Sequence, residues 1–253
     1  RILEEPNLGF SQVFSNFYIK KQKAYVYTLA VDLYLASNKP YDAITSAMSG
    51  LELNQSKNFS IFFLDKLASI KSEIGDAKGA LETVEKILEI DSSNVNAKVQ
   101  KMNIQFLSRT DIMDTEDYLE HKLKLHALIP NDLWVNREII NDYINLSQAE
   151  KAIPFCEKYI ELKGLDNFDW FDFNQLGVVY RNSNKPYKAI SFYTKGLELN
   201  PEAPTLIGGL GTTKFNIGDK NGACESWKKA ISIKDVSEDS KTHYGNLIKE
   251  NCK

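Results

Sequence analysis

Ser183-Asn184-Lys185-Pro186-Tyr187-Lys188-Ala189-Ile190 decides how this chain folds, because nearly the same phrase stands at Ser37-Asn38-Lys39-Pro40-Tyr41-Asp42-Ala43-Ile44. Gly196-Leu197-Glu198-Leu199-Asn200 likewise repeats Gly50-Leu51-Glu52-Leu53-Asn54, at the same offset of 146 residues. A phrase reused at a fixed period of roughly 34 to 37 residues marks a chain built from stacked supersecondary units. Weaker copies fill the interval: Gly75-Asp76-Ala77-Lys78-Gly79-Ala80, Ser147-Gln148-Ala149-Glu150-Lys151-Ala152 and Gly218-Asp219-Lys220-Asn221-Gly222-Ala223. The anchoring alanines are therefore Ala43, Ala80, Ala152, Ala189 and Ala223, spaced 37, 72, 37 and 34 apart. The double-length interval predicts one degenerate unit, with its second helix over about 115–128, ending at Pro130.

One unit reads clearly from Phe173 to Pro201. Phe173, Leu176, Gly177 and Tyr180 fall at i, i+3, i+4 and i+7, the inner stripe of an amphipathic helix. Residues 182–185 are polar and break that pattern, and Pro186 suits the first turn of the next helix, where its missing N–H costs nothing. Ala189, Tyr193 and Gly196 make the inner stripe of the second helix, and Asn200-Pro201 stops it. The following unit repeats the scheme with Leu210-Gly211, a turn at Gly218-Asp219, then Ala223, Trp227 and Ala230.

This order (Leu-Gly, Tyr, a Gly or Asn turn, Ala, an aromatic, a small residue, Pro) resembles the tetratricopeptide repeat (TPR) family, with a bacterial flavour in Gly222 to Ala230 and no subfamily identified. The likeness is clearest over 170–234, follows through 24–56, 61–92 and 133–163, and is faint over 94–130. It implies an all-α fold, a right-handed superhelical solenoid of about six helical hairpins. The expected organisation is an N-terminal helix or partial repeat over 1–22, six units over 23–234 with the third degenerate, and a capping helix over 235–253. Terminal units of a solenoid must cover apolar faces. The stripe Phe10, Val13, Phe14, Phe17 and Tyr18 suits a first cap, and Tyr244, Leu247, Ile248 and Cys252 suit a last one.

Composition agrees with a packed, water-facing protein: 253 residues, 43% hydrophobic, 26% charged, net charge −3. That balance argues against a nucleic-acid partner, which calls for a basic excess, and the most apolar stretch, 25–36, is too short to span a bilayer and contains Asp32. Three cysteines give no paired framework, so free thiols are expected, a Cys224–Cys252 bridge being the one pairing open if the last helices touch. Compartment stays open between cytoplasm and a bacterial periplasm or envelope, as does any tag, signal peptide or domain before Arg1.

Catalytic constellations are missing. There is no Walker A loop, Rossmann fingerprint or HExxH, and His121 and His126 lie five apart, on different sides of a helix. The acidic run Asp111, Asp114, Glu116, Asp117 lacks the alternation and glycine of a calcium loop and reads as a helix N-terminus, where carboxylates complement the dipole. Gly208-Gly209-Leu210-Gly211 lies inside a helix, without the P-loop lysine, and reads as a place of close packing or close ligand approach. No cofactor and no metal is expected, and no enzymatic activity.

The resemblance implies that the first helix of each unit lines a concave groove. Carried over residue by residue, that groove holds Tyr25, Thr28 and Asp32, then Phe62, Asp65 and Ser69. It continues with Trp134, Arg137 and Asn141, then Phe171, Asn174, Val178 and Arg181, then Thr205, Gly208, Thr212 and Phe215. Asparagine side chains can satisfy a peptide backbone, and arginines favour carboxylates. The expected function is a scaffold or adaptor whose C-terminal half holds a protein partner by an acidic or C-terminal peptide segment. The alternative is a sensor or regulatory domain of a larger protein, and a homodimer through the end helices is a further partner. The carboxylate clamp that binds heat-shock chaperone tails fits poorly: Arg137, Asn141 and Gln175 match in part, but Thr205 and Gly209 stand where it needs bases.

Overall fold

In a computed structural model of the chain, residues 10–53, 56–111, 113–234 and 236–252 are described, with side chains from Tyr18 onward. The described residues form thirteen α-helices and no strand. They divide into two compact units, Arg1–Asp111 and Ile112–Lys253.

The first unit holds α1 (Phe10–Ala36), α2 (Pro40–Glu52), α3 (Lys57–Glu73), α4 (Ala77–Ile90) and α5 (Val95–Leu107), each packed on the next. Its core runs from Ala24, Val31, Ala43, Ala47 and Phe63 to Ala68, Ala80, Val84 and Ile87. Residue 22, where the expected organisation passes from an N-terminal helix or partial repeat to the first unit, lies within α1. Helix α1 runs unbroken across it, since 10–36 contains neither Gly nor Pro to stop a helix. Of the expected first capping stripe, Tyr18 is exposed, while the side chains of Phe10, Val13, Phe14 and Phe17 lie outside the described residues.

The second unit holds α6 (Thr115–Leu128), α7 (Leu133–Asn145), α8 (Ala149–Lys163), α9 (Trp170–Asn182), α10 (Pro186–Leu199), α11 (Pro204–Asn216), α12 (Lys220–Ser232) and α13 (Glu238–Asn251). Neighbours pack in order, and the first helices α7, α9 and α11 also touch one another directly. Tyr193 and Trp227, both fully buried, are the largest side chains of this core.

One local device makes five of the hairpins. Asn38, Gly75, Ser147, Asn184 and Gly218 all have positive φ, between 55° and 89°, and each stands five residues before a fully buried anchoring alanine. The residue after each donates its N–H to a carbonyl five residues back: Lys39 to Tyr34, Asp76 to Lys71, Gln148 to Tyr143, Lys185 to Tyr180 and Asp219 to Lys214, at 2.8 to 3.0 Å. This is a Schellman ending, which satisfies the last carbonyls of one helix and turns the chain at once into the next. The alanine then lets the two helices approach. The faint third repeat departs here: residues 108–114 link α5 to α6 where the other hairpins use three residues, and among its described residues none has a positive φ.

Helix starts are marked by acids. Asp114 accepts from the N–H groups of Glu116 and Asp117, and the Asp117 carboxylate accepts from Asp114 N–H, so the acidic run is a capping box. Asp169 and Asp172 make a second box on α9. At the far end, α13 packs on α12 and α11. Cys224 and Cys252 are joined in a disulfide, with Cα atoms 5.7 Å apart, which corrects the expectation of three free thiols. Counting cysteines cannot see that α13 folds back along α12 and closes a 28-residue separation. Cys156 is the free thiol, buried, with its pKa pushed by that burial up to about 12.

Candidate functional site

The three first helices of the second unit, α7, α9 and α11, carry the predicted partner-binding residues. The N-terminal ends of α7 and α9 are aromatic. Trp134 is 60% exposed and Phe171 39% exposed, and Trp170 meets Phe171 edge-on at 5.9 Å between centroids. The Arg137 guanidinium from α7 lies over the Phe171 ring of α9, 5.2 Å from its centroid. The Arg137 Nε is buried without a hydrogen-bond partner.

One turn further along both helices, Gln175 donates from Nε2 to Asn141 Oδ1, and Asn141 Nδ2 donates to Glu138 at 3.3 Å. Arg137 with Phe171 and Asn141 with Gln175 are both 34 residues apart, the same step as the repeat. Stacking the hairpins therefore brings equivalent positions side by side. Asn174 and Val178 are half-buried on α9. Arg181 closes the helix, its Nε donating to Asn182 Oδ1 at 3.1 Å. Its positive charge reaches two tyrosines. Burial pushes the Tyr193 hydroxyl up to about 12 and raises Tyr244, while Arg181 pulls both the other way.

Helix α11 differs. Thr205 is exposed at its start. Thr212 accepts from Trp227 Nε1 at 3.3 Å and donates to the Gly208 carbonyl at 3.1 Å, and Phe215 packs on Trp227 at 5.6 Å. Those two side chains thus engage α12. Gly208, carried into the groove by resemblance, is buried: a Cβ there would sit 2.0 Å from the Tyr244 ring of α13, and one on Gly209 would sit 2.7 Å from Tyr193. The glycine pair serves close packing. The face brought together is therefore that of α7 and α9.

Two members of this face carry no signal in the repeat pattern. Trp170 stands one residue before the motif position, and Glu138 matters through Lys122, whose ammonium lies 3.7 Å from it and 2.8 Å from Asp142. In the first unit, Asp32 pairs with Lys66 at 2.8 Å and Asp65 accepts from Gln100 at 2.8 Å. Thr28 and Phe62 line a shallow cavity of about 250 Å³, while Tyr25 and Ser69 are exposed. Among the described residues no helix is long and apolar enough to cross a membrane.

The family model for the tetratricopeptide repeat matches residues 173–202. No curated protein matches the chain. Among solved structures, YrrB, described as a TPR protein with an unusual peptide-binding site, aligns over 79% of this chain and 98% of its own, with 21% identity and a TM-score of 0.57. MamA AMB-1 aligns over 72% and 96%, with 16% identity and a TM-score of 0.50. The chain thus carries a tetratricopeptide repeat at 173–202 and has the all-α solenoid fold of tetratricopeptide-repeat proteins.

Proposed function

We propose that the chain is a non-catalytic interaction scaffold that holds an extended, acidic or C-terminal peptide segment of another protein across α7 and α9. The observation that carries this reading is Arg137: a half-buried cation stacked on the exposed ring of Phe171. A carboxylate satisfies such a group in a charge-assisted hydrogen bond. Trp134, Trp170 and Phe171 supply rigid apolar contact at low entropic cost, the composition of binding hot spots. Asn141 on α7 and Asn174 on α9, both half-buried, offer amides to an extended backbone, and Arg181 supplies a second cation farther along α9. YrrB's description as having a peptide-binding site supports peptide as the ligand class.

The test is fluorescence anisotropy with labelled 12-residue peptides matched except for acidic, neutral or basic centres, each with a free or amidated C-terminus. Acidic or free-carboxylate peptides are expected to bind tightest and to weaken with salt. Hydrogen bonds to charged groups are worth about 1.5–3 kcal/mol, so Arg137→Ala with Arg181→Ala should weaken binding by roughly tenfold or more. Equal affinity for all three centres, or an unchanged double variant, sinks the proposal.

A further inference from the structure

Helix α1 carries two apolar seams, and the described residues cover one. Ala24, Tyr27, Val31 and Tyr34 face inward, with Ala24 and Val31 fully buried in the first core cluster. A step of two residues turns about 200° around an α-helix. On that opposite side, Val26, Leu29 and Leu33 repeat the same spacing, preceded by Ile19 and Gln22 and followed by Ala36. Ile19, Val26, Leu29 and Leu33 are 49% to 65% exposed, and Tyr18 and Tyr25 flank them, more than 60% exposed. Positions 19, 22, 26, 29, 33 and 36 are successive a and d places of a heptad, the pattern of a helix that pairs with another helix. Scattered exposed apolar residues need no explanation, but a contiguous seam does. Beside it runs a groove of about 460 Å³, floored by Tyr27 and Leu53.

We infer that this seam is a homodimer interface, pairing with α1 of a second copy in antiparallel orientation. The seam is uncharged along its length, so it complements itself. Its flanks are not neutral: Lys20, Lys21 and Lys23 stand at one end and Asp32 at the other. Parallel pairing would lay three lysines on three lysines. Antiparallel pairing centred on Val26 sets Lys20 opposite Asp32 of the second copy, and the lysines beside the negative end of the opposing helix dipole. Asp32 already accepts from Lys66, yet its side chain is still 54% exposed and its second oxygen can take a second cation. In the same register Leu33 of the second copy lies over the groove between Ile19 and Val26. Six large, mostly exposed apolar side chains give several hundred Å² per copy, a large part of the roughly 800 Å² per partner of a standard stable interface. This face belongs to the first unit and does not share residues with the peptide site.

Sedimentation equilibrium on the 253-residue chain at micromolar concentration is expected to give twice the monomer mass. Val26→Glu with Leu29→Glu should weaken the dimer at least tenfold, with far-UV circular dichroism unchanged because both side chains are solvent-facing. Orientation is read by cross-linking: an Ile19→Cys chain mixed with a Leu33→Cys chain should form a mixed disulfide, and neither alone should. A monomer overturns the inference, as does a dimer indifferent to the double variant. Self-cross-linking of each single-cysteine chain overturns the antiparallel orientation.

Discussion

Gly218 and Ser147 occupy equivalent turns, and exchanging their chemistry should move stability in opposite directions. Gly218 sits at φ 89° between α11 and α12, and a Cβ built on it meets nothing within 4 Å. Alanine there encounters no clash, so its effect is conformational alone. An L-residue in the left-handed region costs roughly 1–2 kcal/mol, and replacing glycine returns about 0.4–1 kcal/mol through the unfolded chain. Gly218→Ala should therefore destabilise by about 1 kcal/mol. Ser147, at φ 56° and exposed, is the mirror case, and Ser147→Gly should stabilise by a similar or slightly smaller amount. At 2–4 °C per kcal/mol for domains of about 150–250 residues, each is a shift of a few degrees. Trp134, Trp170 and Trp227 all lie in the second unit, so tryptophan fluorescence during urea unfolding reports on both variants directly. Shifts of the same sign in the two variants, or a loss on Ser147→Gly, would refute the assignment of these turns as strained left-handed endings.

Asp172 gives a pH prediction. Burial pushes its pKa up, but hydrogen bonds from Lys163 at 2.6 Å, Tyr159 at 2.7 Å and Asp169 N–H at 2.9 Å outweigh that and hold it below the ordinary range. Its stabilisation is thus fully present above the unfolded carboxylate value near ~4 and is lost as pH falls through the lowered folded value. Asp172→Asn should cost about 2–4 kcal/mol at neutral pH and flatten the acid limb of a urea-midpoint profile; an equally steep limb would count against it. For the Cys224–Cys252 bridge, the chain-entropy estimate for a loop of this length is about 3.5 kcal/mol. Reduction should accordingly speed amide hydrogen exchange across 238–251 before it affects α9; unchanged exchange there would show that packing alone holds α13.

The repeat was legible because its two decisive positions demand particular residue types: a residue that tolerates positive φ, and a buried alanine five places on. Where neither constraint operates, the reading lost resolution. The described residues of the linker at 108–114 show no such turn, so only the spacing of the alanines revealed the unit around it. The continuity of α1 was visible in the lack of Gly and Pro, but the lysines at 20–23 obscured its periodicity. In the site, Arg137–Phe171 and Asn141–Gln175 follow from repeat phase, which aligned hairpins make readable. The burial of Gly208 does not, because it depends on Tyr244, 36 residues away on α13, beyond the last complete hairpin.

That last helix has a consequence for growth. A stack of similar hairpins exposes at its end the surface on which another hairpin would add, and open head-to-tail association of such surfaces leads to filaments. Tyr244 over Gly208, and Cys252 bonded to Cys224, occupy that surface of the last hairpin with α13. Head-to-tail addition onto α11 and α12 would have to displace a helix that a covalent bond holds in place.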